Sequence, residues 1–255
     1  MDFKNRELDA IAIIPARLSS TRLAQKMLHP ILGKPLIAYA IENAKKSKYI
    51  RRVVCATDSE EIKEVAIQYG AEVVITSKNI QTGTDRIAKA YVDLDETADI
   101  IFNIQGDEPL LDSETLDTLF EKFSHSLCHV GTLVKKIDNK QDLFNPNVVK
   151  ATLEIDSSAL YFSRSPIPYL RGVDESSWIS KHNFWKHIGV YAYRDTALKA
   201  FTELPQTDLE IAESLEQLRL LQNNYKYFCV ETTKDFHGVD TIDDVKRVEN
   251  ILSNG

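Results

Sequence analysis

The segment Arg17-Leu18-Ser19-Ser20-Thr21-Arg22-Leu23-Ala24-Gln25-Lys26 gathers two arginines, one lysine and three hydroxyls into ten residues. Arginine presents a forked set of donors, lysine a mobile point charge, and the backbone amides add further donors, a combination suited to a triphosphate. The segment is not the G-x-x-x-x-G-K-[ST] phosphate loop, because no glycine follows until Gly33. On composition alone it also reads as a solvated basic loop. A second candidate is Asn103-Ile104-Gln105-Gly106-Asp107-Glu108-Pro109. A carboxylate just beyond an apolar strand and a glycine suits Mg²⁺, a hard cation that keeps several waters while bridging one or two carboxylates to phosphates. The third is Gly238-Val239-Asp240, where Asp240 reads equally as a second metal ligand and as a cap for the helix that follows. Gly83 and Thr84 open a helix, where free backbone amides can meet a phosphate or a base edge. Asp58, after Ala56-Thr57, reads first as a helix cap.

Other chemistries find little support. No Ser-His-Asp or Cys-His constellation stands out, and His182 and His187 have no cysteine near them in sequence that would suggest zinc. His187 is retained as a candidate because the apolar run that follows it places it beside the sheet. Cys55, Cys128 and Cys229 are odd in number and far apart, which reads as free thiols in a reducing compartment.

The elements that must position these residues follow from apolar periodicity. Short apolar runs at 10–15, 52–57, 72–76 and 100–104 read as strands, and they alternate with helical stretches at 35–46, 60–69, 84–94 and 113–123. Such alternation implies a parallel sheet covered on both faces, with ligands bound beyond the carboxyl ends of the strands. The middle of the chain departs from it. Runs at 130–134, 148–155, 159–162 and 187–193 read as strands without a helix between each pair, and Pro166, Pro168, Gly172 and the polar run 174–182 mark an excursion. We expect a single domain over residues 1–255, with an added, partly antiparallel lobe at about 128–195. Helices are expected at 196–203 and 208–222, the second with Ala212, Leu215, Leu218 and Leu221 inward. A strand at 226–231 and a helix at 241–252 follow, with Thr241 and Asp244 as a cap pair.

Composition bounds the partners. The chain has 255 residues and a formal charge of −7, an acidic balance that argues against nucleic acid, whose binding rests on neutralising phosphates. No apolar stretch is long enough to span a membrane, and the polar start lacks a signal-peptide core. A cytoplasmic location, without membrane insertion, is expected.

Taken together, the strings resemble one family. They include Ile-Ile-Pro-Ala-Arg at 13–17, Ser-Thr-Arg-Leu at 20–23, Ala-Thr-Asp at 56–58, Gly-Thr-Asp-Arg at 83–86 and Asn-Ile-Gln-Gly-Asp-Glu-Pro at 103–109. Further along stand Phe-Asn-Pro-Asn at 144–147, Ala-Leu-Tyr-Phe-Ser-Arg at 159–164, His-Ile-Gly-Val-Tyr at 187–191, Leu-Glu-Gln-Leu-Arg at 215–219 and Val-Asp-Thr at 239–241. The order and content resemble the CMP-Kdo synthetases, the 3-deoxy-manno-octulosonate (Kdo) cytidylyltransferases. The resemblance implies a Rossmann-like nucleotidyltransferase fold in the α/β class and a homodimer formed through the added lobe. It implies Mg²⁺ as cofactor and transfer of the CMP group from CTP to Kdo for lipopolysaccharide or capsule.

By position, the resemblance implies that Arg17, Ser20, Arg22 and Lys26 hold the CTP phosphates, with Pro15, Ala16 and Thr21 in the same nucleotide-binding segment. It places Asp107 and Asp240 on the metal, Ser77, Gly83 and Thr84 near the cytidine, and Gln105, Arg164, His187, Tyr191, Glu213, Glu216 and Gln217 around the sugar. Arg164 is the expected partner of the sugar carboxylate. A sugar of the sialic-acid type, or 8-amino-Kdo, is the alternative substrate, and a non-catalytic nucleotide-binding subunit of the same fold is the alternative class. One departure is visible: the common form Arg-Leu-Pro-Gly-Lys-Pro-Leu is here Arg22-Leu23-Ala24-Gln25-Lys26-Met27-Leu28. Gln25 stands where glycine is usual, so the loop must change path or accept backbone strain.

Overall fold

The computed structural model describes residues 8–20, 22–80 and 82–254. The first half alternates as expected: β1 (Ala10–Ala16), a short hairpin of β2 (Pro30–Ile31) and β3 (Lys34–Pro35), α1 (Leu36–Lys45), β4 (Ile50–Thr57), α2 (Glu60–Gln68), β5 (Glu72–Ile75), α3 (Gly83–Asp93), β6 (Ile100–Asn103) and α4 (Ser113–Ser124). The second half holds β7 (Val130–Lys136), α5 (Lys140–Phe144), β8 (Lys150–Leu153), β9 (Ala159–Ser163), α6 (Trp178–Lys181), β10 (Trp185–Tyr193), α7 (Asp195–Glu203), α8 (Asp208–Glu213), α9 (Gln217–Gln222), β11 (Tyr227–Glu231) and α10 (Ile242–Asn254).

The main sheet runs β11-β7-β10-β6-β1-β4-β5. Its strands share one direction except β10, which is antiparallel to both β6 and β7. β1 is buried along its whole length, as a central strand covered on both faces must be. One apolar layer packs Ile14, Ile41, Phe102, Leu119 and Phe123 on one face, and a second packs Ile13, Ile87, Ile101, Tyr193 and Leu198 on the other.

Segment 128–195 does not stand apart from this sheet: β7 and β10 lie inside it, while β8 and β9 hang from β10 as an antiparallel extension. The excursion folds over a small core of Ile137, Leu143, Trp178 and Phe184. Among the described residues no helix is long and apolar enough to cross a membrane. Cys55 and Cys229 are buried thiols, and burial pushes both up to about 12.

Two local expectations are corrected. The helix expected over 208–222 is broken: α8 ends at Ser214, which adopts the left-handed conformation at φ 52°, and α9 begins three residues later. The apolar period is continuous, so its pattern hid the break. Ala212 is accordingly exposed, while Leu215 and Leu218 are buried. Asp58 is not a cap, since Ser59 caps α2 by accepting from the Ile62 amide at 3.3 Å.

Candidate active site

The strands deliver their carboxyl ends to one edge of the sheet. There the chain leaves β1 at Pro15 and Ala16, both buried, and enters the basic loop. Pro15 supports the start of α3, because a side chain added at Gly83 would meet Pro15 Cγ at 3.6 Å. The loop is held by a few anchors. Leu23 is buried with Ile31, Leu36, Val239 and Val245, which ties the loop to α10. Gln25 accepts the strain implied by its sequence position, with φ 49° and ψ 40°, and the 3₁₀ turn Lys26–Leu28 follows. Met27 sits behind Gly106: a Cβ there would lie 3.0 Å from Met27 Sδ.

These anchors bring three sequence-distant segments to one point. Lys26 Nζ donates to Asp107 Oδ2 at 2.5 Å and to Asp240 Oδ1 at 2.8 Å. Arg22 Nη1 pairs with Asp240 Oδ2 at 2.8 Å. The Asp240 side chain is therefore committed to this cluster, and the cap of α10 is Thr241, whose Oγ1 accepts from the Asp244 amide at 3.3 Å while Asp244 Oδ2 accepts from the Thr241 amide at 2.9 Å. Burial pulls the Lys26 ammonium down, but Asp107 and Asp240 more than offset it and hold the lysine above its usual range. Next to them, burial pushes Glu108 up to about 8, with Asp107 and Asp240 adding to the effect. The backbone closes the arrangement, the Val239 amide donating to the Asp107 carbonyl at 2.9 Å.

Of the other loop residues, Arg17 and Ser20 are half-buried, and Thr21 lies outside the described residues. Arg17 lines a groove of about 620 Å³ with Ser19, Gln25, Asp58 and Lys78.

Beside the loop opens a cleft of about 310 Å³. Gly83 and Thr84 of α3 form one wall, Gln105 and Tyr191 the floor, and Glu216 and Gln217 the far side. Thr84 Oγ1 donates to Glu216 Oε2 at 2.8 Å, and Tyr191 Oη reaches Gln217 Oε1 at 3.4 Å. Burial raises the Glu216 carboxyl, which the Thr84 hydrogen bond opposes. Asn103, Gly189, Tyr193, Ser214 and Leu215 complete the lining and were not picked out from sequence. A signal existed for two of them: Gly189 and Tyr193 share a strand period of two with Tyr191. For Ser214 and Leu215 none existed, because they enter the cleft only through the break between α8 and α9.

The remaining expected sugar residues lie outside the lining of this cleft. His187 sits behind Tyr191, its Nε2 2.9 Å from Thr132 Oγ1 and its ring against the edge of Phe162. Desolvation drives its pKa down to about 3. Glu213 accepts from Ser163 Oγ at 2.6 Å and from the Arg164 amide at 2.9 Å. The guanidinium of Arg164 donates to the carbonyls of Glu213, Pro146 and Ser214. These three bonds brace the break between α8 and α9 and use three of the five guanidinium N–H donors. Ser77 is exposed in the turn after β5, bonded to the Asn79 amide at 3.1 Å.

Two carboxylates thus converge on one cation between a basic loop and an adjoining polar cleft. The sequence profile described as Cytidylyltransferase matches residues 11–234. A 3-deoxy-manno-octulosonate cytidylyltransferase from Chlorobaculum tepidum is 47% identical over 249 residues, covering 96% of this chain and 98% of the relative. The chain belongs to the 3-deoxy-manno-octulosonate cytidylyltransferase family. Another member, from Francisella tularensis subsp. novicida, is 44% identical over 94% of this chain and 97% of its own. Among solved structures, a CMP:2-keto-3-deoxy-manno-octonic acid synthetase complexed with CTP superposes with a TM-score of 0.88 at 34% identity, covering 96% of this chain and 99% of that one. The fold of the cytidylyltransferase family is thus the frame on which the loop, the two carboxylates and the cleft are carried.

Proposed function

We propose that this chain couples CTP to Kdo, forming CMP-Kdo and pyrophosphate, and that the edge of the sheet between Lys26 and Glu216 is its active site. The observation that carries the reading is the convergence of Lys26 on Asp107 and Asp240, with Arg22 on Asp240, beside a polar cleft. The relatives' names supply the substrates. In the reaction the anomeric oxygen of the sugar forms a bond to the α-phosphorus, the bond from that phosphorus to the bridging β-oxygen breaks, and pyrophosphate leaves with that electron pair. The hydroxyl proton is lost to solvent or to a nearby carboxylate.

Arg17, Ser20, Arg22 and Lys26 hold the phosphates in this reading, and their work is positioning and charge neutralisation. Lys26 is suited to it because the two carboxylates keep it protonated. Gly83 and Thr84 meet the nucleoside, while Gln105, Tyr191, Glu216 and Gln217 meet the sugar. His187, Glu213 and Arg164 shape the sugar site from behind. Arg164 anchors α8 through three of its donors and keeps two N–H donors for the sugar carboxylate.

The donor chemistry of Asp107 and Asp240 fits Mg²⁺: both are hard oxygen ligands converging on one positive charge. Beside them Glu108 Oε2 is buried and has no hydrogen-bond partner among the described residues. Bound between Asp107 and Asp240, Mg²⁺ would supply charge stabilisation at the α-phosphate. The reading also includes a cytoplasmic homodimer formed through the added lobe at about 128–195, and a product destined for lipopolysaccharide or capsule.

Incubation with CTP, Mg²⁺ and Kdo, and separately with 8-amino-Kdo or a sialic-acid-type sugar, tests the reading by pyrophosphate release. Release with Kdo is expected. Release only with another sugar reassigns the substrate, and no release with any acidic sugar overturns the reading.

A further inference from the structure

Arg86 lies on the second turn of α3 with its side chain fully buried. Its neighbours Ile87, Ala88, Ala90 and Tyr91 are apolar and buried. Desolvating a guanidinium is costly, and an ion pair placed in a core is often no more stabilising than hydrophobic side chains of the same volume. Stability alone is therefore a poor reason for an arginine at this position.

Its partners give a better one. Arg86 Nη1 donates to Thr76 Oγ1, just past β5, and Nη2 donates to Asp58 Oδ2 at 3.1 Å, just past β4. The second oxygen of Asp58 accepts from the Leu18 amide at 3.4 Å, inside the phosphate loop. One guanidinium thus joins three strand-end segments to a helix whose first turn lines the cleft. Burial lowers the Arg86 pKa and Asp58 opposes that effect, while Arg17 stands close enough to lower it further. Asp58 is therefore held between one buried cation and one loop amide.

We propose that Asp58 and Arg86 are positioning residues for the phosphate loop, fixing its Leu18 amide and Arg17 relative to the start of α3 so that phosphates and nucleoside are met together. The inference rests on the CTP reading above and adds the pair that sets the distance between its two halves. Neither residue needs to touch the nucleotide.

Asp58→Asn is the informative change. Its amide can still offer one acceptor, but it carries no charge and cannot accept from both Leu18 and Arg86 through two oxygens. The KM for CTP and its calorimetric affinity are expected to weaken about tenfold, as for loss of a charged positioning contact. The KM for Kdo and the inhibition constant of cytidine, which has no phosphates, should stay within about twofold. A purely structural role predicts the opposite pattern, a lower melting temperature and a smaller active fraction with both KM values unmoved. CTP affinity within twofold of the parent in folded Asp58→Asn overturns the proposal, as does a parallel rise in both KM values.

Amide exchange of the unaltered protein supplies an independent arm should that variant fail to fold. Leu18 is expected to exchange more slowly than exposed Ser19 before any nucleotide is added, and equal rates overturn the proposal. Wild-type protein that binds CTP but releases no pyrophosphate would sink the catalytic reading while leaving these binding and exchange results to decide the pair.

Discussion

The loop from Arg17 to Lys26 and the cleft lined by Thr84, Tyr191 and Glu216 lie on the same edge of one sheet, yet different forces hold them. The loop is charged and largely open: Arg22 keeps 67% of its side chain exposed, and ion pairs to Asp107 and Asp240 set the positions of Arg22 and Lys26. The cleft is assembled from buried surfaces, with neutral or singly charged hydrogen bonds such as Thr84 to Glu216 and Tyr191 to Gln217. Charges in the loop act over distance and tolerate small displacements. A cleft that reads hydroxyls does not, because each buried donor left unpaired costs its full desolvation. Under the proposed function the loop suits a polyanion and the cleft suits discrimination.

Removing a carboxylate should break the loop side most severely. Asp107→Ala or Asp240→Ala is expected to lower kcat/KM by about a hundredfold to a thousandfold, the range for losing one preorganised electrostatic contact, with circular dichroism unchanged. Full activity in either variant would remove that carboxylate from the mechanism. On the cleft side, Thr84→Val takes the hydrogen bond from Glu216 and should change a substrate KM by about tenfold with a smaller effect on kcat. Steady-state kinetics with each substrate varied in turn would show which one. If Thr84→Val matched the carboxylate variants in kcat loss, the division of labour between loop and cleft would be wrong.

A third test concerns pH. His187, behind the cleft, has a native pKa of about 3 against an ordinary 6.5. The folded state keeps the ring neutral while the unfolded chain takes up a proton below about pH 6.5, so this contribution is present above that value and is lost as pH falls toward 3. His187→Gln should flatten that part of the melting-temperature profile, read by calorimetry from pH 7 to pH 4. An unchanged slope would show that other groups set the acid limit. The smallest effect is expected at Gln25, whose backbone is left-handed. Gln25→Gly should relieve about 1 kcal/mol or less and raise the melting temperature by about 2 °C. A lower melting temperature would mean that the Gln25 side chain contributes more than its backbone costs.

The two regions also differed in how far the sequence exposed them. The loop is contiguous, so its charges and hydroxyls are visible as a string, and the strain at Gln25 followed from a residue standing where glycine is usual. The alternating strands and helices of the first half are equally legible, because each buries its own apolar run. The cleft residues are scattered over α3, β6, β10 and the α8–α9 break. The expectation of one helix over 208–222 failed because an apolar period does not record a single left-handed residue, and Ser214 carries no glycine to announce it. Arg164 was legible only in part for a related reason: its chemistry is visible in the string, but its bonds to the carbonyls of Glu213, Pro146 and Ser214 depend on that break.

By itself the sequence determined the α/β alternation, the basic loop, the carboxylates at 107 and 240 and the family they resemble, since each is a local property of residue type and spacing. Only the tertiary structure decided that Lys26 stands between those carboxylates, that Asp240 is not the cap, and that buried Arg86 reaches the loop through Asp58. It also decided that β10 runs against its neighbours in the middle of the sheet. These depend on which strand ends meet in space, and contacts between residues 26 and 240 are set by packing of the whole sheet rather than by anything either segment prefers alone.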